Sequence, residues 1–159
     1  MKIRKANIRD LLIIYLWKND QLAREMSRNN KKVQLLEHIM WFLKILKSKN
    51  NFLYIFCINN EKIGNVRFDR IEPYIKKNAY FVSINVNPKF RGKQLSKTML
   101  SNSIQEFSKE TKLHSYLLVA EIKKINQASQ KIFRSLGFKV DTSDATFDVL
   151  HYYYDSINN

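Results

Sequence analysis

Apolar residues recur along this chain with two different periods, which predict both helices and strands. Apolar positions at helical spacing predict four helices, over residues 10–17, 34–46, 94–107 and 127–136. Short apolar or alternating runs predict seven strands, over residues 3–6, 52–58, 63–71, 79–86, 113–120, 138–140 and 147–154. The polar stretch 24–32 is typical of a loop or a broken helix, and Pro73 interrupts the chain between two strands. The order of these elements predicts a mixed α/β domain.

The length and composition of the chain fit a single globular domain over residues 1–159. The sequence is 45% hydrophobic and 26% charged, and a chain of this length can bury a core without disulfides. Its single cysteine, Cys57, lies in an apolar run that predicts a buried strand position and suits a reducing cytoplasm. No apolar run is long enough to span a membrane, and the N-terminus lacks the apolar region of a secretory signal. We therefore expect a cytoplasmic protein without a membrane partner.

The chain has 28 lysine and arginine residues and 14 aspartate and glutamate residues, which gives a formal net charge of +14. Such a charge attracts polyanions, so nucleic acid, anionic lipid and phosphorylated ligands are all compatible with it. The lysines are spread along the chain, however, and the interleaved basic and aromatic motif of single-strand binders does not occur. We therefore expect no nucleic-acid partner. Three histidines and one cysteine without clustered ligand spacing also predict no metal site.

One of only three glycines, Gly92, lies in a basic loop between a predicted strand and a predicted helix. A loop that opens a helix presents unpaired backbone N–H groups, and such groups bind phosphate or pyrophosphate. Lys89, Arg91 and Lys93 add positive charge around this loop. An ordinary connecting loop with solvated lysines is the alternative that the pattern leaves open.

Two motifs around this loop resemble those of a known family. Segments 84–88 and 91–96 resemble the acetyl-CoA pyrophosphate loop of the GNAT acetyltransferases, which has the form Arg/Gln-x-x-Gly-x-Gly/Ala. Gln94 stands where the first family glycine is expected, and Ser96 where the second small residue falls. Downstream, residues 126–138 resemble the family's Asn-x-x-Ser…Gly-Phe helix. The two motifs occur in the family's order, so the chain is identified as similar to GNAT N-acetyltransferases.

This resemblance implies a central mixed, mostly antiparallel, twisted sheet of six to seven strands flanked by about four helices. It also implies that acetyl-CoA is the acyl donor, held by a strand edge, the basic loop and the downstream helix. The residues that it implies in cofactor binding are Ile84, Asn85, Val86, Arg91, Gly92, Lys93, Gln94, Leu95, Ser96, Asn126, Ser129 and Phe133. Many family members have a tyrosine at the position of Phe133 that protonates the leaving thiolate, which phenylalanine cannot do.

Glu121 is the residue that we expect to act as catalytic base. An amine must lose a proton before it attacks a thioester, and a carboxylate can accept that proton directly or through water. Glu121 follows an apolar strand and precedes Asn126 by five residues, a spacing at which some family members carry a catalytic glutamate. A carboxylate at the rim of the site, without a catalytic role, is the alternative.

A Trp-Lys-Asn-Asp segment, followed by Glu-His and Trp-Phe pairs, occupies the first third of the chain. This pattern resembles the amino-sugar nucleotide acetyltransferases of pseudaminic acid and surface-polysaccharide biosynthesis. It implies that the acceptor is a primary amine, of a UDP-amino sugar, and that it contacts Trp17, Asn19, Asp20, His38 and Trp41. The alternatives are that the two tryptophans pack in the core and that His38 is a structural histidine.

Two other functions stay compatible with the sequence. The acceptor could be a protein N-terminus or a ribosomal protein, with the same cofactor. The chain could also be a basic nucleic-acid-binding module without catalysis, because Phe133 replaces the family's tyrosine. Since two cofactor motifs are present, we expect an enzyme that acts on a small molecule, as a monomer or a homodimer.

Overall fold

The computed structural model describes residues 1–72 and 78–155, which form one seven-stranded sheet with helices packed against it. The strands are β1 (Lys2–Lys5), β2 (Phe52–Ile58), β3 (Glu61–Arg70), β4 (Asn78–Val86), β5 (Ser115–Lys123), β6 (Lys139–Ser143) and β7 (Phe147–Asp155). The helices are α1 (Leu11–Asn19), α2 (Gln21–Glu25), α3 (Leu35–Lys47), α4 (Leu95–Thr111) and α5 (Gln127–Arg134). Short 3₁₀ turns cover Ile8–Asp10 and Pro88–Phe90. The predicted break at Pro73 lies outside the described residues.

The sheet has the order β1-β2-β3-β4-β5-β7-β6, and β4 with β5 is its one parallel pair among the described strands. The predicted mixed, mostly antiparallel sheet is confirmed, and the described residues form five α-helices where about four were expected. The additional helix is α2, whose N-terminus is capped by Asp20. The carboxylate Oδ2 of Asp20 accepts a hydrogen bond from the backbone N–H of Ala23 at 3.0 Å.

Backbone chemistry sets the boundaries of several elements. Asn59 and Asn60 have φ values of 47° and 66°, which makes them the two-residue turn of the β2–β3 hairpin. Lys112, with φ 52°, ends α4 in the left-handed conformation. The helix therefore extends four residues beyond its predicted end at Phe107. Among the described residues, no helix is long and apolar enough to cross a membrane.

The two faces of the sheet carry different cores, because successive side chains of a strand point to opposite faces. On β2, Tyr54 and Phe56 belong to the larger core, together with α4, α5 and most of the strands. Leu53 and Ile55 belong to a second core with α1 and α3. The helices of the first third of the chain therefore cover one face of the sheet, and α4 and α5 cover the other.

The parallel pair of strands separates after a short distance. β4 and β5 are paired from Asn78 with Tyr116 to Phe81 with Val119, and the remaining residues of the two strands are not paired with each other. β4 stays paired with β3 as far as Val86, while β5 stays paired with β7 as far as Lys123. Each strand therefore follows its outer neighbour, and a gap opens between their carboxyl ends.

Gly64 on β3 lets the end of β4 approach closely. A Cβ atom at this position would lie 2.5 Å from the carbonyl oxygen of Asn85 and 2.6 Å from the Cε atom of Met99. Neither distance allows a carbon atom without movement, and the carbonyl belongs to the paired strand. Glycine is therefore required where β3, β4 and α4 meet.

We predict that Gly64→Ala lowers the free energy of unfolding by about 1–3 kcal/mol, because the added methyl group must push β4 or Met99 aside. Urea unfolding followed by circular dichroism measures this change. An unfolding midpoint equal to that of the unmodified protein would show that β4 can shift without cost.

Candidate active site

A cavity of about 580 Å³ lies in the gap between β4 and β5 and continues beneath the helices of the first third of the chain. The carboxyl-terminal ends of β4 and β5 and the start of α5 line its first half. The residues of this half include Ile84, Asn85, Glu121, Ile122, Asn126, Ser129 and Phe133. The second half lies between β3, α1, α3 and the loop that follows α2. Its residues include Lys18, Ser27, Arg28, Glu37, His38, Trp41, Asn65, Arg67 and Asp69.

The loop before α4 has the backbone of an anion-binding loop. Asn87 begins it, accepting a hydrogen bond from Lys89 N–H at 3.1 Å and donating one to the carbonyl of Lys62 at 2.8 Å. Gly92 and Gln94 both have positive φ values, 76° and 58°. No side chain of residues 1–72 and 78–155 caps α4, so the N–H groups of its first turn have no side-chain acceptor among these residues. These groups and the positive end of the helix fit a pyrophosphate.

Gln94, which stands where the family motif has glycine, has a backbone conformation that glycine favours. A φ of 58° is in the left-handed region, which glycine adopts freely and other residues adopt at a cost. The substitution therefore leaves the course of the loop compatible with phosphate binding. Nothing lies within 4 Å of a Cβ atom built on Gly92, so space for a ligand remains beside the loop.

The start of α5 brings three of the predicted cofactor residues to the gap. Asn126 caps the helix, because its Oδ1 atom accepts a hydrogen bond from Ser129 N–H at 3.1 Å. Phe133, one turn further along, is almost fully buried and meets Phe138 edge to face at 4.9 Å between ring centres. All three line the cavity. Phe133 contributes an apolar surface to the cavity, and its side chain has no proton to donate to a leaving group.

Glu121 lies on β5 just past the last residue that pairs with β4, so its side chain borders the gap. Its Oε2 atom is 2.6 Å from Nη1 of Arg28, which follows α2. The carboxylate is 24% exposed, whereas Arg28 is largely in solvent at 69%. Arg28 therefore contacts one oxygen of the Glu121 carboxylate from the solvent side of the cavity.

Two of the five predicted acceptor residues, His38 and Trp41, line the cavity. His38 is 2% exposed, and its Nε2 atom lies 3.0 Å from the carbonyl oxygen of Leu11. Burial lowers the pKa of His38, so the ring is neutral near pH 7 and donates to that carbonyl. The imidazole thus joins α3 to the start of α1. Trp41 lies next to it, with 5.3 Å between ring centres.

The other three predicted acceptor residues have different contacts. Trp17 is 3% exposed and packs in the second core, so the structure gives it the packing role that the sequence left open. Asn19 exchanges two hydrogen bonds with the backbone of Val33, at 2.8 and 3.0 Å, which close the loop after α2. Asp20 caps α2 and pairs with Arg91 at 2.6 Å. None of the three is among the described residues that line the cavity.

A row of polar residues on β3, which no sequence motif indicates, forms the floor of the second half of the cavity. Asn65, Arg67 and Asp69 alternate with Val66 and Phe68, which lie in the larger core. Arg67 pairs with Asp69 at 2.7 Å, and burial raises the pKa of Asp69. In the sequence, the sign of this polar row is the alternation of polar and apolar residues within a predicted strand. Alternation identifies a polar face without showing that helices cover it.

The comparisons with known proteins agree with this geometry. The family model of the acetyltransferase (GNAT) domain matches residues 1–139, most of the chain. The chain belongs to the GNAT acetyltransferase family. It is therefore an acyltransferase, an acetyl-CoA-dependent N-acetyltransferase of the GNAT type. The alternative of a basic module without catalysis is not favoured.

Solved GNAT structures share the fold over almost the whole chain. A ribosomal-protein-alanine N-acetyltransferase from Brucella melitensis is 23% identical, with a TM-score of 0.77 over 98% of this chain and 99% of that one. An N-acetyltransferase from Staphylococcus aureus Mu50 is 25% identical, with a TM-score of 0.75 and 98% of each chain covered. A spermidine N-acetyltransferase from Vibrio cholerae, in complex with CoA and spermine, is 15% identical, with a TM-score of 0.78 over 96% and 93% of the two chains. No curated protein matches the chain significantly.

We predict that the stability of this GNAT enzyme falls as the pH drops below about 6.5, the ordinary pKa of histidine. The folded state keeps His38 neutral and lowers its pKa, so the unfolded state binds the proton more readily. The stabilisation is therefore complete above the ordinary pKa and is lost as the pH falls towards the lowered one.

Urea unfolding at about pH 7.5 and about pH 5 measures this effect, which His38→Gln should reduce. His114→Gln is the matched control, because His114 is exposed and lies outside the cavity lining. If lowering the pH reduces the free energy of unfolding of the His38 variant as much as that of the unmodified protein, the prediction is contradicted.

Proposed function

We propose that this GNAT enzyme acetylates the primary amine of a nucleotide-linked amino sugar in surface-polysaccharide biosynthesis. The observation that carries the proposal is the polar half of the cavity. It is continuous with the cofactor half and lined by hydrogen-bonding groups, charges and one indole ring. A sugar ring needs such a mixture of polar partners and aromatic surface.

The floor of this half supports recognition of hydroxyl groups. Asn65 is 7% exposed, and its Oδ1 atom is buried without a hydrogen-bond partner among the described residues. A buried carbonyl oxygen without a donor is costly, and a ligand that supplies an O–H or N–H group removes that cost. Because Asn65 lines the cavity, it is a suitable acceptor for a sugar hydroxyl.

Trp41 supplies an aromatic wall whose position is fixed. The guanidinium carbon of Arg67 lies 5.2 Å from the centre of its ring, and the ring of His38 is tilted against it with 5.3 Å between ring centres. A rigid indole with a cation held against it loses little freedom on binding a ligand. These contacts make Trp41 the best candidate in this cavity for stacking against a sugar or a base.

The residues of the cofactor half support the binding of acetyl-CoA. Residues 82–86 of β4 have no partner in β5, so part of their backbone can pair with the amide groups of the pantetheine arm as an added strand would. The loop around Gly92 and the N-terminus of α4 would hold the pyrophosphate. Acetyl-CoA, when bound, supplies the thioester carbonyl that the amine attacks.

Glu121 is our candidate for the group that accepts the proton of the amine. It borders both halves of the cavity, where an acceptor amine and a thioester would meet. Arg28 contacts one of its oxygens, Oε2. The other oxygen can accept a proton directly or through water. Phe133 has no proton to donate, so CoA leaves as the thiolate or takes its proton from water.

A screen of acceptors tests the proposed substrate. The purified enzyme, acetyl-CoA and one amine are mixed, and the release of CoA thiol is followed. The amines are a UDP-amino sugar, a peptide with a free N-terminus, and spermidine. We expect turnover with the UDP-amino sugar. Turnover with the peptide or spermidine and none with the UDP-amino sugar would keep the family and overturn the proposed acceptor.

We predict that Glu121→Gln lowers turnover by at least about tenfold and leaves the affinity for acetyl-CoA nearly unchanged. The amide cannot accept the proton, while it keeps the size of the side chain. Calorimetry measures cofactor affinity, and thiol release measures turnover. Glu61→Gln is the matched control, since Glu61 is exposed at the β2–β3 turn and outside the cavity lining. An unchanged rate in the Glu121 variant would remove this residue from the role of base.

A further inference from the structure

Lys18 is a partly buried cation in the polar half of the cavity, and it has no carboxylate partner among the described residues. It lies in the last turn of α1, and its Nζ atom donates a hydrogen bond to Oγ of Ser27 at 3.1 Å. The hydroxyl of Ser27 in turn donates to the carbonyl of Ala23 at 2.7 Å. Within residues 1–72 and 78–155, no salt bridge to Lys18 forms.

This arrangement leaves most of the bonding capacity of the ammonium group unused. An ammonium group has three N–H donors, and one of them has an acceptor among the described residues. Burial lowers the pKa of Lys18, and the like charge of Arg67 lowers it further. The negative end of α1 favours a cation in its last turn, but a lysine in solvent would gain that benefit without burial. Fully buried cations are normally paired, and Lys18, which is partly buried, has no carboxylate partner among the described residues.

Arg67 places a second cation in the same half of the cavity. Its guanidinium group is held between the ring of Trp41 and the carboxylate of Asp69. Asp69 balances the charge of Arg67, whereas no described carboxylate lies within ion-pair distance of Lys18. Two neighbouring cations in a partly buried cavity repel each other unless an anion lies between or beside them.

The position of Lys18 relative to Glu121 suits an acceptor with two functional groups. Ser27, which contacts Lys18, is followed directly by Arg28, which contacts Glu121 at 2.6 Å. One short segment therefore touches both the unpaired cation and the candidate base. An acceptor whose anionic group lies at Lys18 can extend its amine towards Glu121 within the same cavity.

We infer that Lys18, with Arg67 beside it, binds a phosphate group of the acceptor and thereby determines its specificity. This inference rests on the proposed function and deepens it, because it assigns the residues that hold the phosphate of the nucleotide-linked substrate. Ammonium and guanidinium donors form charge-assisted hydrogen bonds with phosphate oxygens. The bound phosphate takes up the free N–H donors of Lys18 and balances its charge.

Binding of UDP and of uridine to the CoA-saturated enzyme tests the inference. CoA fills the pyrophosphate loop, so UDP cannot bind there, and uridine lacks the phosphates. Calorimetric titration gives both affinities for the unmodified enzyme and for Lys18→Met, Lys18→Arg and Lys44→Met. Lys44 is the matched control, an exposed lysine on α3 outside the cavity lining.

The unmodified enzyme should bind UDP at least about tenfold more tightly than uridine. Lys18→Met should remove most of that difference, while Lys18→Arg and Lys44→Met should retain it. Equal binding of UDP and uridine by the unmodified enzyme, or an undiminished preference for UDP in Lys18→Met, would overturn the inference. Thermal unfolding of each variant shows whether it is folded, and Lys18→Gln replaces Lys18→Met if the latter is not.

The failure of this inference and that of the proposed function are distinguishable. Turnover of a UDP-amino sugar by Lys18→Met at the rate and KM of the unmodified enzyme would keep the function and reject the phosphate site. A preference for UDP that depends on Lys18, without acetylation of any UDP-amino sugar, would keep the phosphate site and reject the proposed acceptor.

Discussion

The separation of β4 from β5 is the constraint on which the active site depends. The two strands share four paired positions and then follow different neighbours, β3 on one side and β7 on the other. A continued ladder would close the cavity and satisfy the backbone groups that the cofactor is expected to use. The close packing of Gly64 against Asn85 and Met99 holds the end of β4 on the side of β3. The gap between β4 and β5 is therefore a consequence of how β4 packs against β3 and α4.

The acceptor half of the cavity exists because one face of the sheet has apolar residues on β2 and polar residues on β3. Leu53 and Ile55 on β2 form a dry core with α1 and α3, whereas the next strand presents Asn65, Arg67 and Asp69 on the side of the cavity. The same helices thus cover apolar residues on one strand and polar residues on the next. The buried hydrogen bond of His38 to the carbonyl of Leu11 ties α1 to α3 above this boundary. The apolar contacts of α1 and α3 with β2 therefore hold these helices in place above the polar half of the cavity on β3.

Local patterns in the sequence predicted most of the elements and selected several residues that line the first half of the cavity. The β2–β3 hairpin, α3 and the loop at Gly92 depend on neighbouring residues, and Glu121, Asn126 and Phe133 fall within one short segment that lines the cavity. The acceptor half depends on long-range packing, which periodicity does not report. Trp17 and Trp41 have similar apolar surroundings in the sequence, yet Trp17 lies in the core and Trp41 lines the cavity. The polar row on β3 was missed because alternation does not distinguish water from a covering helix layer.

The net charge of the chain, finally, is separate from the recognition chemistry of the cavity. Its described lining contains three basic residues, Lys18, Arg28 and Arg67, and three carboxylates, Glu37, Asp69 and Glu121. These charges balance in number, so the excess of +14 belongs to the rest of the chain. Charge spread over the surface affects solubility and the long-range attraction of anions, and salt screens it. Within the cavity, Arg28 is paired with Glu121 and Arg67 with Asp69, whereas Glu37 and Lys18 form no ion pair among the described residues. The choice of acceptor therefore depends on that one unpaired ammonium group more than on the charge of the whole protein.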